Sequence, residues 1–169
     1  MILLIAAAVC AASSPSPVPR SASVVPVLSE QRDYGIPIGN IKVQFSDGHS
    51  ELWTKDGRSL LPHVSRSGVV GWSRFVSRNV YGEPFNNLLR IHPPDRPSRE
   101  FQVGRFIEDW GFSDDGVSVS IKCRGRHGPS YLYQYEIGTG KLLDSITRSV
   151  PYDGLPEWAK PFADDKPRT

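Results

Sequence analysis

Residues 131–137 read YLYQYEI, and their side chains sort by alternation. Tyr131, Tyr133, Tyr135 and Ile137 fall on one face of an extended chain, Gln134 and Glu136 on the other. Residues 117–123, VSVSIKC, do the same: Val117, Val119, Ile121 and Cys123 alternate with Ser118, Ser120 and Lys122. A helix would spread these residues around its axis, so period-two runs of this quality require β-strands with one buried side.

The rest of the chain follows suit. From about residue 34, short strand-like runs alternate with turn signals: IKVQF, SELWT and RSLL; VVGWSRFVS, NNLLRIH and REFQV; IEDWGF, VSVSIKC, SYLYQYEI and KLLDSIT. The first three predict a meander with turns at Asp47-Gly48 and Asp56-Gly57, pairs that accept the positive φ of tight hairpins. Fifteen Gly and fifteen Pro suit a fold rich in turns.

An internal repeat emerges when HVSRSGV (63–69) is placed beneath GFSDDGV (111–117). Each shows an apolar residue, Ser, two variable residues, Gly and Val, and each is followed by three further strand-like runs. The offset is about 48 residues, near the roughly 40–50 of a propeller blade.

The segment FSDDG (112–116), a strand, and then YEIGTGKLL (135–143) resembles the blade motif of WD40-like, TolB-type β-propellers. More closely, DGHSELWTKDG (47–57) with PHVSRSGVVGW (62–72), and residues 110–143 with the late PEW (156–158), resemble a family of small secreted bacterial proteins. The resemblance spans about residues 41–158 and implies fold and export; it carries no catalytic residue. The expected fold is all-β: antiparallel four-stranded meanders resembling about two and a half blades. A closed propeller needs roughly four to eight blades, so the set forms an open or sandwich-like stack, or a second copy of the chain completes its sheets.

The opening MILLIAAAVCAASS reads as a signal peptide over residues 1–13, cut near Ala12 or Ser13, although no Lys or Arg precedes the apolar run. That run is too short to span a bilayer, so the mature chain has no expected transmembrane segment. Lipidation at Cys10 is the alternative, with Val9 in the place where Gly, Ala or Ser is usual. Residues 14–33 read as a Ser/Pro-rich flexible segment, 34–158 as the β domain and 159–169 as a C-terminal tail. The expected location is periplasmic or secreted. Without the leader, Cys123 is the one cysteine left, so no internal disulfide forms, and the alternation turns its thiol inward.

The motifs exclude more chemistry than they offer. A net charge of +2 lacks the concentrated basic face of a nucleic-acid binder. His49, His63, His92 and His127 are scattered without metal-ligand spacing, and no cofactor signature occurs. GTGK (138–141) is not a phosphate loop: Tyr135 and Leu142 stand where Gly and Ser or Thr are required. No G-x-S-x-G elbow exists, and no residue is assigned as catalytic.

What remains is a rim. In a four-stranded unit the loop between the second and third strands emerges beside the segment entering the first. This gathers residues 124–129 and 105–109 of the last unit with Arg78, Asn79, Tyr81 and Glu83 of the preceding one. The candidate ligand-binding residues are Arg78, Asn79, Arg124, Arg126 and His127, since the guanidinium fork suits carboxylate or phosphate. Trp53, Trp72, Trp110 and Trp158 fill the core or, alternatively, form a stacking platform for sugars.

The expected function is an exported binding or protein-interaction module of the bacterial envelope, its partner an envelope protein or an anionic ligand. Two alternatives stay open. One is a small periplasmic enzyme acting on an anionic or sugar substrate, with His127 as acid/base beside Asp109 or Glu108. The other is a structural or assembly subunit, including a homodimer, that uses its sheet edges.

Overall fold

The computed structural model describes residues 16–27, 37–78, 84–125, 128–147 and 150–164. The leader therefore lies outside the described residues, as do Asn79, Arg126 and His127. The strands are β1 (Pro19–Pro26), β2 (Gly39–Phe45), β3 (Ser50–Leu52), β4 (Ser59–Val64), β5 (Val70–Arg74), β6 (Ser77–Arg78), β7 (Pro84–Phe85), β8 (Leu88–His92) and β9 (Arg99–Gln102), followed by β10 (Phe106–Phe112), β11 (Ser118–Arg124), β12 (Ser130–Glu136) and β13 (Leu142–Ile146). No α-helix occurs among the described residues, and none of their helical turns is long and apolar enough to cross a membrane. The all-β expectation holds.

The strands form two main antiparallel sheets, neither of which closes on itself. The larger runs β1-β2-β4-β5-β8-β9, with β3 also on β2, and has seven strands. The smaller runs β10-β11-β12-β13 in sequence order; β6 and β7 make a separate two-stranded ribbon. One core lies between the sheets. Leu89, Ile91 and Phe101 from the first meet Ile107, Trp110, Val119, Ile121 and Cys123 from the second, with Tyr131, Tyr133 and Tyr135 along its border.

Cys123 is fully buried there, and desolvation pushes its thiol up to about 12, with Arg105 opposing and Glu108 adding to the rise. It stays a protonated hydrophobe. The expected inward alternation is seen at Val119, Ile121 and Cys123, whereas Val117 lies in the preceding turn, half exposed.

The two aligned turns have the same construction. Gly68 N–H donates to Ser65 O at 3.0 Å and Gly116 N–H to Ser113 O at 2.9 Å, with φ of 83° and 71° at the glycines. Each serine hydroxyl accepts an amide across its turn, from Val69 at 3.0 Å and from Ser118 at 2.9 Å. The turns also lie side by side, with Arg66 3.7 Å from Asp114.

Several elements differ from the sequence reading. Pro19–Pro26, expected within a flexible segment, is an edge strand along the whole of β2. Ala22 and Val24 turn inward against Ile41 and Val43, and the prolines sit at the strand ends, where an edge tolerates them. The predicted three-strand meander is interrupted: β3 and β4 both pair with β2, at Lys42–Gln44 and at Gly39, rather than with each other. The segment entering the last unit is strand rather than loop from Phe106 onward. Residues 159–164, expected as tail, pack on the smaller sheet, with Ala159 fully buried.

Candidate functional site

The smaller sheet has two faces, and its outer one carries a candidate site. Cross-strand pairing puts Lys122 opposite Leu132 and Arg124 opposite Ser130, so these four share a face. Leu132 also pairs with Ile146, and Gln134 with Asp144. An antiparallel sheet could leave such a face in water. Here residues 150–164 cross it as a strap.

Prolines at 151, 156 and 161 keep the strap out of helix, and it advances through two 3₁₀ turns, Tyr152–Gly154 and Lys160–Phe162. Leu155 and Ala159 bury against Leu132, flanked by Ile146, Val150, Trp158 and Phe162. Trp158 Nε1 donates to Asp144 Oδ2 at 3.1 Å, pinning the strap to β13. Phe162 crosses above Gly111 on β10, where an added Cβ would stand 3.3 Å from its ring.

The strap's far end is held by charge. Asp164 Oδ1 accepts from Lys122 Nζ and from Arg124 Nη2, each at 2.7 Å, while Oδ2 accepts from Ser130 Oγ at 2.9 Å. Glu108 completes the cluster, accepting from Arg124 Nε at 3.0 Å and lying 3.7 Å from Lys122 Nζ. A bulge in β10 between Ile107 and Asp109 turns Glu108 towards these cations. The Lys122 side chain is only 11% exposed, which a lysine sustains when carboxylates surround its ammonium.

Beneath the strap lies a cavity of about 510 Å³, within the range of ligand sites. Leu132, Ile146, Val150, Leu155 and Phe162 supply its apolar lining, and Ser130 and Asp164 its polar end. Pro129, which closes the predicted rim loop, lines it as well.

Burial pushes the Asp164 carboxyl up, but hydrogen bonds from Lys122 and Ser130 and the charges of Lys122 and Arg124 outweigh this and hold it below its usual 3.8. A depressed folded-state value means that the stabilisation is complete above 3.8 and is lost as pH falls through the lowered one. Asp164 is half exposed, so the effect is local. The strap should loosen below about pH 4 ahead of global unfolding, read as movement of the Leu155 and Val150 methyl resonances, and Asp164→Asn should remove that step. Methyl shifts that track global unfolding alone would contradict this.

Of the rim residues predicted from sequence, Arg124 is at this site, and its guanidinium is shared between Glu108 and Asp164. Arg78 ends β6, in the ribbon between β5 and β8. The base of that excursion reaches the same end of the fold: Asn86 Nδ2 donates to Ile107 O at 3.0 Å, and the neighbouring Phe106 pairs with Arg124. Arg105 stacks over Tyr131, its guanidinium carbon 3.7 Å from the ring centre. Glu108, a candidate partner for His127, is engaged by the two cations.

Several of the remaining candidates meet partners within the chain, although the buried Trp72 Nε1 has no hydrogen-bond partner among the described residues. The GTGK segment is the β12–β13 hairpin turn; its Gly138 and Thr139 carbonyls accept from Arg99 at 2.7 and 3.0 Å. Trp110 and Trp72 are buried, whereas Trp53 and Trp158 are half-buried. Trp53 Nε1 donates to Glu51 at 2.9 Å, and His92 packs edge-on against its ring. His49 stacks on Phe45 and holds Asp47 at 2.5 Å. Among the described residues no three His, Cys, Asp or Glu side chains converge to hold a metal.

Sequence reasoning missed Leu132, Ile146, Leu155, Phe162 and Asp164. The available signal was Leu132, an apolar residue on the polar side of the alternation in YLYQYEI, which implies a covered outer face. Searches among family models, curated proteins and solved structures found no match to this chain.

Proposed function

We propose that the chain is an exported binding module of the bacterial envelope whose ligand occupies the cavity under the strap. The hydrophobic leader with its small-residue cleavage region supports export. The two consecutive four-strand runs with like-built turns support a stack of blade-like units, about two and a half in number, whose end loops serve recognition. The observation that carries the reading is the cavity itself: an apolar lining with one polar end, where ligands with an apolar body fit. Arg78, Asn79, Arg126 and His127 stay proposed as ligand contacts on their sequence pattern alone, the last three lying outside the described residues.

Octanol is a suitable probe. It should bind the mature chain, and Ala163→Trp, which fills the cavity from the strap, should weaken it at least about tenfold by calorimetry. An unchanged affinity would put the ligand elsewhere.

A second reading draws on β13, an edge strand with Leu142 and Leu143 exposed. Such an edge suits pairing with another copy and would give a dimer by light scattering; a monomer excludes it.

A further inference from the structure

The Asp164 carboxylate sits in a receptor more complete than a strap anchor needs. Three donors from two adjacent strands converge on it: Lys122 Nζ, Arg124 Nη2 and Ser130 Oγ, all between 2.7 and 2.9 Å. Arg124 Nη2 also donates to Ser130 Oγ at 3.2 Å, which fixes the hydroxyl beside the cations. Sheet register sets the backbone positions of the donors, through the Lys122–Leu132 and Arg124–Ser130 pairs, and Glu108 on β10 holds Arg124 Nε at 3.0 Å, so these supports come from the sheet and not from the strap. Asp164 and Ser130 both line the apolar cavity, so this receptor forms its polar end.

From these contacts we infer that Lys122, Arg124 and Ser130 form a carboxylate receptor that Asp164 occupies as an internal stand-in, and that the ligand is an amphiphilic carboxylate. Its head group displaces Asp164 while its apolar chain lies over Leu132, Ile146, Val150 and Leu155. This inference rests on the reading of the cavity as the binding site.

Charge argues for exchange rather than addition. Lys122 and Arg124 bring two positive charges, and Glu108 and Asp164 cancel them. A second carboxylate added beside Asp164 would meet like charge at close range, whereas one replacing Asp164 restores the same balance. The strap carboxylate thus lowers the apparent affinity by the fraction of time it is docked. It also favours ligands whose apolar chain adds what a lone carboxylate lacks. Acetate should compete poorly and a longer alkyl carboxylate well.

Octanoate and octanol share a chain and differ in head group, so the pair separates the claims. Asp164→Asn should raise the affinity for octanoate relative to that for octanol by about tenfold, a ratio that cancels any loosening of the strap common to both probes. Asp164→Ser, a second variant that also removes the charge, should act in the same direction. Adding Arg124→Gln and Lys122→Gln to Asp164→Asn should abolish the preference for octanoate over octanol. Octanol binding with no change in the octanoate-to-octanol affinity ratio in either Asp164 variant overturns the carboxylate receptor and leaves the cavity reading standing. Binding of neither probe to any variant overturns both.

Discussion

Trp110→Ala is expected to cost about 3–5 kcal/mol in folding free energy. The indole is 1% exposed and lies where the sheets meet. His63 and Phe112 pack edge-on against it, with ring centres at 4.7 and 5.2 Å, and a Cβ added at Gly71 would come within 2.5 Å of its Cη2. Its Nε1–H donates to Leu61 O at 2.8 Å. Leu61 holds a φ of 50° at the bulge in β4, and that strained backbone aims the carbonyl at the indole. Alanine would leave a cavity between the sheets and strip the carbonyl of its donor. Urea unfolding gives the number. A loss below about 1.5 kcal/mol would mean that the sheets close over the gap and that Trp110 does not organise their contact.

Gly39→Ala should act as strongly by the opposite route. An added Cβ would stand 2.0 Å from Val25 O and 2.8 Å from Pro26 Cα, both backbone atoms of β1. Side-chain crowding can relax by a rotamer change, but here two paired strands must separate, which puts the cost at or above the upper end of roughly 1–3 kcal/mol. The visible result should be release of β1: amide exchange at Ser23 and Val25 rising to the level of an unfolded segment while β11 stays protected. Uniform protection across β1 and β11 in this variant would contradict the assigned close approach.

The strand periodicity was legible because apolar and polar residues alternate along the strands, as Val119, Ile121 and Cys123 do with Ser118, Ser120 and Lys122, even though Ser118 and Ser120 are themselves buried. The turns were legible too, since Gly48, Gly57, Gly68 and Gly116 all sit at positive φ beside Asp or Ser. Strand β1 was not. Its sequence PRSASVVP is poor in strand formers, and tertiary pairing with β2 overrides the local preference. The candidate site was half legible: Arg124 marked the right end of the fold, but its partners, Glu108 and Asp164, lie 16 and 40 residues away. A strap of mixed polar and apolar residues has no period, so its path over Leu132 follows from packing that sequence spacing cannot express.

The central claim is that ligand binds under the strap on the outer face of β11–β13. Methyl and amide NMR with octanol titrated into the chain tests it most directly. The account predicts saturable shifts at Leu132, Ile146, Val150 and Leu155, with intermolecular contacts from the octanol chain to the same side chains. Shifts confined to the Phe45–His49–Trp53 face, or none that saturate, would contradict it.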